Sequence, residues 1–255
     1  MKNLRKLFAE YLGTFGIVFF GTGSIIVNEL SSGTVSHVGV AVTFGVIVTL
    51  MIYSFSEISG AHLNPAVTIA LLKTDGLNFL GKVSYILSQT AWAVSASLLL
   101  HLLFPSNAML GSTIPSGAEL QSFVLEFILT FFLMIVILQA THYQSVKPFA
   151  GLLIGLTVMI EAMFAGPICG ASMNPARSLG PALVSGHFES IWLYIVAPIA
   201  GAILGKVVHR ILTVHGELKK EVKAQFEDAQ ISSMAELTKW TVESNKEVSL
   251  QEGSL

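Results

Sequence analysis

The stretch ISGAHLNPAV at residues 58–67 decides the fold, because ICGASMNPAR repeats it at residues 168–177. Asn64 and Asn174 lie 110 residues apart, and Ile58/Ile168, Gly60/Gly170, Ala61/Ala171 and Gly45/Gly155 recur at that same offset. A duplicated short polar motif in so apolar a chain points to an internally repeated membrane protein, with its special site where the repeats meet.

The composition agrees. Of 255 residues, 53% are hydrophobic and only 12% are charged, whereas soluble domains carry about 25% charged residues. Six apolar stretches, at about 8–28, 37–56, 80–104, 120–141, 149–166 and 188–212, approach or exceed the length needed to cross a hydrocarbon core of roughly 30 Å. Strand-period alternation is absent, so the spans read as helices and not as a barrel. Lys2, Arg5 and Lys6 precede span one, Lys73 and Lys82 separate spans two and three, and Lys147 separates four and five. Lys206, Arg210 and all later cations follow the core of span six, and the opposite loops hold no Lys or Arg. The positive-inside rule then predicts both termini in the cytoplasm. Glu10 interrupts the first apolar run and five further spans follow, so that run is a span and not a cleavable signal. Cys169 is the single cysteine, which excludes an internal disulfide and a cysteine-clustered metal site. It reads as a small packing residue.

Each half opens alike: Glu10 precedes Thr14-Phe15, and Glu126 precedes Thr130-Phe131. Tyr85 with Gln89 in span three parallels Tyr194 with Pro198 in span six. Repeat one covers about 7–105 and repeat two about 118–212, giving a membrane domain over 1–212 and a tail over 213–255. Three spans per repeat is an odd number, so the repeats are inverted relative to each other. The apolar runs after Asn64 (to about Leu72) and Asn174 (to about Val184) are too short to span; about ten residues give roughly 15 Å. A dipped loop followed by a half-helix fits each. Inversion brings the two N-terminal ends together near the midplane. Asn suits an N-cap and Pro the first helical position. Each Asn carbonyl can accept backbone N–H bonds, which leaves its NH2 donors for a passing solute. Two helix N-termini place roughly half a positive charge each at that point, repelling cations. The fold predicted is an all-α membrane protein of six transmembrane helices and two re-entrant half-helices.

With both Asn-Pro-Ala boxes (Asn64-Pro65-Ala66 and Asn174-Pro175-Ala176), the two Glu…Thr-Phe openings and Arg177 after the second box, residues 7–212 resemble the aquaporin, or major intrinsic protein, family. AGPICGASMNPARSLGPAL and IWLYIVAP are similar to its plant nodulin-like branch and bacterial relatives. The resemblance implies a homotetramer in the plasma or inner membrane, each protomer with its own passive pore, and no cofactor. Its partners are the lipid bilayer, water and small neutral solutes, with no nucleic acid. It assigns the constriction to Phe44, Ala162, Ala171 and Arg177, with the carbonyls of Gly60, Ala61, His62 and Gly170 along the pore. Arg177 would donate hydrogen bonds and repel cations. Water-restricted members carry His at the position of Ala162 and Thr or Cys at that of Ala171. Two alanines imply a wider opening, passing water with glycerol, urea or undissociated metalloid acids such as arsenite. Ser178 and Ala182 follow the water branch instead, and bulky Met163 could narrow the pore. A strictly water-selective channel is therefore the alternative.

Some residues admit a different chemistry. Glu10, Glu57, Glu126 and Glu161 at membrane depth could form a proton relay, making a coupled transporter. The corresponding repeat positions of Glu10 and Glu126 favour the bracing of the dipped loops. Glu57 borders a loop, and Glu161 has Met51 as its counterpart, with no role evident. His62 lacks companions for a metal. An intramembrane enzyme would need a nucleophile with a base or paired carboxylates, and no convincing set exists. A purely structural membrane protein is the remaining class. Gly13, Gly201 and Gly205 read as helix-crossing residues; Trp92 stands where relatives often have glycine, matching Gly201. The tail opens with a charged stretch carrying Leu218, Val222 and Phe226 at helical spacing, a surface helix, and ends in about a dozen residues that read as disordered.

Overall fold

The computed structural model describes residues 2–71 and 77–213, with Phe226, Gln230 and Met234. Those three are helical; the rest of the expected tail helix and the disordered end lie outside the described residues. Residues 1–209 form one compact unit and residues 210–255 another. Among the described residues every regular element is helical.

The chain runs α1 (Lys2–Leu30), α2 (Ser36–Ser59), α3 (Pro65–Ala70), α4 (Phe79–Leu103), α5 (Glu119–His142), α6 (Ala150–Cys169), α7 (Pro175–Ser185) and α8 (Leu193–Thr213). A single 3-10 turn, Lys147–Phe149, leads into α6. Six of these helices are long and apolar enough to cross a membrane. A 24-residue helix such as α2 is about 36 Å long, enough for a core of roughly 30 Å.

The ends differ from the sequence reading in two places. The sixth span begins at Leu193, not at about 188, because Phe188 to Trp192 form turns in which Ile191 and Leu193 donate back to Phe188 O and Ser190 O. The half-helices are unequal: α7 has 11 residues, but α3 has 6, ending where Leu71 N turns back to Val67 O. The next stretch, 72–76, lies outside the described residues.

The repeats meet along an internal two-fold, visible because equivalent residues touch each other. Gly45 of α2 faces Gly155 of α6: a β-carbon on Gly45 would stand 2.7 Å from Gly155 O, and one on Gly155 2.5 Å from Gly45 O. Small residues there let two backbones approach as they do in other membrane crossings. The α5/α8 crossing uses the same device, since a β-carbon on Gly205 would lie 2.8 Å from Phe131 O and one on Gly201 would collide with Phe127 O. α1 and α4 cross differently, with the rings of Tyr11 and Trp92 in contact. Tyr11 and Phe127 are repeat equivalents, as are Trp92 and Gly201, so the first repeat has an aromatic pair where the second has a glycine against a backbone carbonyl.

Gly155→Val forces the α2/α6 crossing apart. Overpacking of this kind costs about 1–3 kcal/mol, and thermal unfolding of the detergent-solubilised protein is expected to show a lower transition than wild type.

Candidate functional site

Each dipped loop begins where a helix ends in a left-handed glycine: Gly60 (φ 87°) after α2 and Gly170 (φ 82°) after α6. The left-handed turn then recurs at Ala61 (φ 47°) and Leu63 (φ 52°), and again at Ala171 (φ 40°) and Met173 (φ 53°). Such residues cost about 1–2 kcal/mol each for an L side chain, so the loops need outside support.

Two buried carboxylates supply it. Glu10 of α1 accepts from His62 N (2.9 Å), Leu63 N (2.7 Å), Ser59 Oγ (2.7 Å) and Gln89 Nε2 (2.8 Å). Glu126 of α5 accepts from Ser172 N and Met173 N, both at 2.7 Å. The second set is poorer because Cys169 and Pro198 stand where the first repeat has Ser59 and Gln89. Cys169 is buried; its Sγ reaches Ala165 O at 3.5 Å and offers Glu126 only a weak thiol donor. Carboxylates sequestered in this way have their lone pairs taken by fixed backbone donors, an arrangement unsuited to carrying protons. Glu161 is buried with Oε2 unpartnered, and Glu57 lines the cavity that the loops border.

The loops present their asparagines to each other. Asn64 caps α3 with Oδ1 accepting from Ala66 N at 2.9 Å, and Asn174 caps α7 by accepting from Ala176 N at 3.0 Å and Arg177 N at 3.4 Å. Their amide nitrogens cross the two-fold: Asn64 Nδ2 donates to Met173 O (2.7 Å), and Asn174 Nδ2 donates to Leu63 O (2.9 Å). This corrects the expectation that both NH2 donors stay free. One N–H of each amide is committed to the opposite loop, leaving one for a solute. Pro65, Ala66, Pro175 and Ala176 are buried beneath the asparagines and pack the helix starts.

Both asparagines border a cavity of about 730 Å³ whose wall also includes Gly60, Ala61, His62, Phe44, Ala171 and Arg177. Gly170 lies off this wall, with Thr113 close enough that a β-carbon there would stand 3.0 Å from it. His62 Nδ1 is 3.2 Å from Thr68 Oγ1, and no cluster of metal-ligating side chains occurs among the described residues. Arg177 is only 2% exposed. Its Nη1 donates to Gly111 O at 3.0 Å, and its guanidinium carbon lies 5.3 Å from the centre of the Phe44 ring. Ala162 is buried in the same apolar cluster as Phe44 and Ala171 but does not reach the cavity wall, its methyl being too short. Met163 is also off the wall, 38% exposed, with its carbonyl bonded to His37 Nε2.

Three contributors escaped the sequence reading. Gly111 (φ 66°) carries the carbonyl that holds Arg177, on a loop pinned by Asn107, which accepts from Leu110 N and donates to Glu29. A hydroxyl chain runs behind α7, from Thr113 to Ser178 (2.8 Å) and Ser178 to Ser172 (2.5 Å). Lys82, expected only as an inner-side cation, is 3% exposed and its Nζ reaches Thr68 O near the end of α3 at 3.4 Å. A cation there complements the negative end of the half-helix.

Six membrane helices, two half-helices abutting at asparagine caps, and a lumen running past them define a channel-type membrane protein. The model of the major intrinsic protein family matches residues 1–209, and the chain belongs to that family, whose members are integral multi-pass channels for water and small solutes and not enzymes. Nodulin-26 of Glycine max is 44% identical over 211 residues, covering 82% of this chain and 78% of that protein. Aquaporin NIP1-4 of Oryza sativa subsp. japonica is 44% identical over 216 residues (84% and 79%). Putative aquaporin NIP4-1 of Arabidopsis thaliana is 46% identical over 211 residues (82% and 74%). Among solved structures, the aquaglyceroporin from Plasmodium falciparum shares the fold at a TM-score of 0.76 and 23% identity, covering 85% of this chain and 99% of that one.

Glu126→Leu removes both acceptors for the second loop and is expected to abolish osmotic water flux in proteoliposomes and to lower the unfolding temperature. Glu126→Gln keeps one acceptor oxygen and is expected to retain part of both, since each stranded buried N–H costs about 1–3 kcal/mol. Stopped-flow light scattering measures the flux.

Proposed function

We propose that this channel passes water together with larger uncharged hydroxylated solutes, namely glycerol, urea and undissociated metalloid acids such as arsenite, and excludes protons and ions. The single observation that carries the reading is that the cavity wall beside Arg177 has one aromatic member, Phe44, and the methyl of Ala171, while Ala162, buried in the same apolar cluster, keeps its methyl off that wall. Methyl groups on two sides leave width that an imidazole or a larger side chain would fill, and pore width with lining donors selects solutes in such channels. The Asn64 and Asn174 boxes form the waist, and Glu10 and Glu126 hold its loops.

Charge exclusion has two sources. Arg177 places a fixed cation, weakly hydrated and held by Gly111 O and the Phe44 face, beside the path. The N-terminal ends of α3 and α7 add partial positive charge at the waist. Both terms leave neutral solutes with lone pairs unopposed. The names of the nodulin-26 and NIP relatives are consistent with membership of that branch.

The protein works in this reading as a homotetramer in the plasma or inner membrane, with residues 1–212 forming the channel and residues 213–255 a cytoplasmic tail. The basic residues Lys2, Arg5 and Lys6 in the first turns of α1, with Lys147 before α6, support cytoplasmic termini.

Introducing Ala162→His with Ala171→Thr is expected to suppress glycerol flux while sparing water flux in stopped-flow assays. Equal loss of both fluxes overturns the width argument, and a wild type impermeable to glycerol, urea and arsenite alike indicates the strictly water-selective alternative. Arg177→Val is expected to raise proton or cation conductance across planar bilayers above that of wild type.

A further inference from the structure

We infer that the groove between α1 and α4, walled by Leu4, Arg5, Phe8, Tyr11, Ser88 and Trp92, is a binding site for one anionic phospholipid. The groove holds about 510 Å³ and is almost wholly apolar within. Tyr11 and Trp92, in contact with each other, line it, whereas the equivalent Phe127/Gly201 crossing in the second repeat is closed backbone to backbone.

Its polar and apolar parts are segregated along the helix axis. Arg5 is exposed, and among the described residues its guanidinium has no hydrogen-bond or ionic partner; the same holds for the Tyr11 hydroxyl. Ser88 is already engaged, donating to Leu7 O at 3.1 Å. Leu4 is 71% exposed and Phe8 56% exposed, so the groove lies open at the surface. Arg5 and Tyr11 are six residues apart, about 9 Å along a helix, slightly more than one headgroup layer of roughly 5–8 Å. A phosphate on Arg5 therefore sets the ester region at the Tyr11 hydroxyl and an acyl chain along the Trp92 face. Lys6 beside Arg5 adds to the positive potential that favours an anionic headgroup. Assignment to the inner leaflet follows the proposed orientation; binding itself does not depend on it.

The full-length protein in detergent, given equal concentrations of phosphatidylglycerol and phosphatidylcholine with identical oleoyl chains, tests this by native mass spectrometry. Wild type is expected to retain phosphatidylglycerol over phosphatidylcholine by about fivefold or more, the scale of one basic residue at an anionic surface. Arg5→Gln is expected to erase that preference and Arg5→Lys to keep it. Trp92→Leu, which removes the aromatic wall, is expected to weaken retention of both lipids. Equal retention of the two lipids by wild type, or an Arg5→Gln protein that keeps the preference, overturns the inference. So does an Arg5→Gln protein whose oligomer falls apart with its lipid count unchanged, because the groove then belongs to a neighbouring copy.

Discussion

The whole arrangement hangs on the pair of amide bonds that cross the internal two-fold, Asn64 Nδ2 to Met173 O and Asn174 Nδ2 to Leu63 O. Each asparagine caps its own half-helix and ties the opposite loop, so both amide groups and the backbone groups they meet are satisfied where the two loops abut. Non-helical backbone at membrane depth survives only where it is buried in protein or lines a cavity. Here it does both: one edge of each loop faces the lumen and the other is bound by Glu10 or Glu126. The two halves also approach closely at Gly45 and Gly155, where neither position has room for a β-carbon.

The two halves are equivalent in plan and unequal in detail. Glu10 collects four nitrogen and oxygen donors, and Glu126 two backbone N–H groups with the weaker thiol of Cys169, as Ser59 and Gln89 have become Cys169 and Pro198. The second half is instead stiffened by the hydroxyl chain of Thr113, Ser178 and Ser172, and by the longer half-helix α7. It also carries Arg177, a buried guanidinium for which the first repeat has Val67 at the corresponding position. Membership of the major intrinsic protein family accounts for the shared plan; the differences are this chain's own.

The sequence was explicit wherever a signal was periodic or duplicated. Six apolar runs, the odd number of spans per repeat and the doubled Asn-Pro-Ala box were enough to reach an inverted all-helical fold, because burial in lipid leaves the backbone few choices. The equivalence of Glu10 and Glu126 was legible for the same reason. Contacts lacking period or repeat were not. Gly111 reaches Arg177 from 66 residues away through loop packing that no local pattern encodes. Lys82 read as an interfacial cation because sequence gives no depth for a long side chain, which can reach inward as readily as outward. The second role of the asparagine amides required the two-fold itself, since each partner carbonyl sits in the other repeat. Ala162 was placed by its spacing from Asn174, which fixes the backbone position but not how far a methyl extends.

A density map of the protein in a lipid nanodisc, at a resolution that shows ordered solvent, bears most directly on the central claim. The result expected is an unbroken file of solvent passing between Asn64 and Asn174, each amide donating to the carbonyl of the opposite loop. Amides turned away from each other, or a plug of packed side chains where the solvent should run, would contradict it.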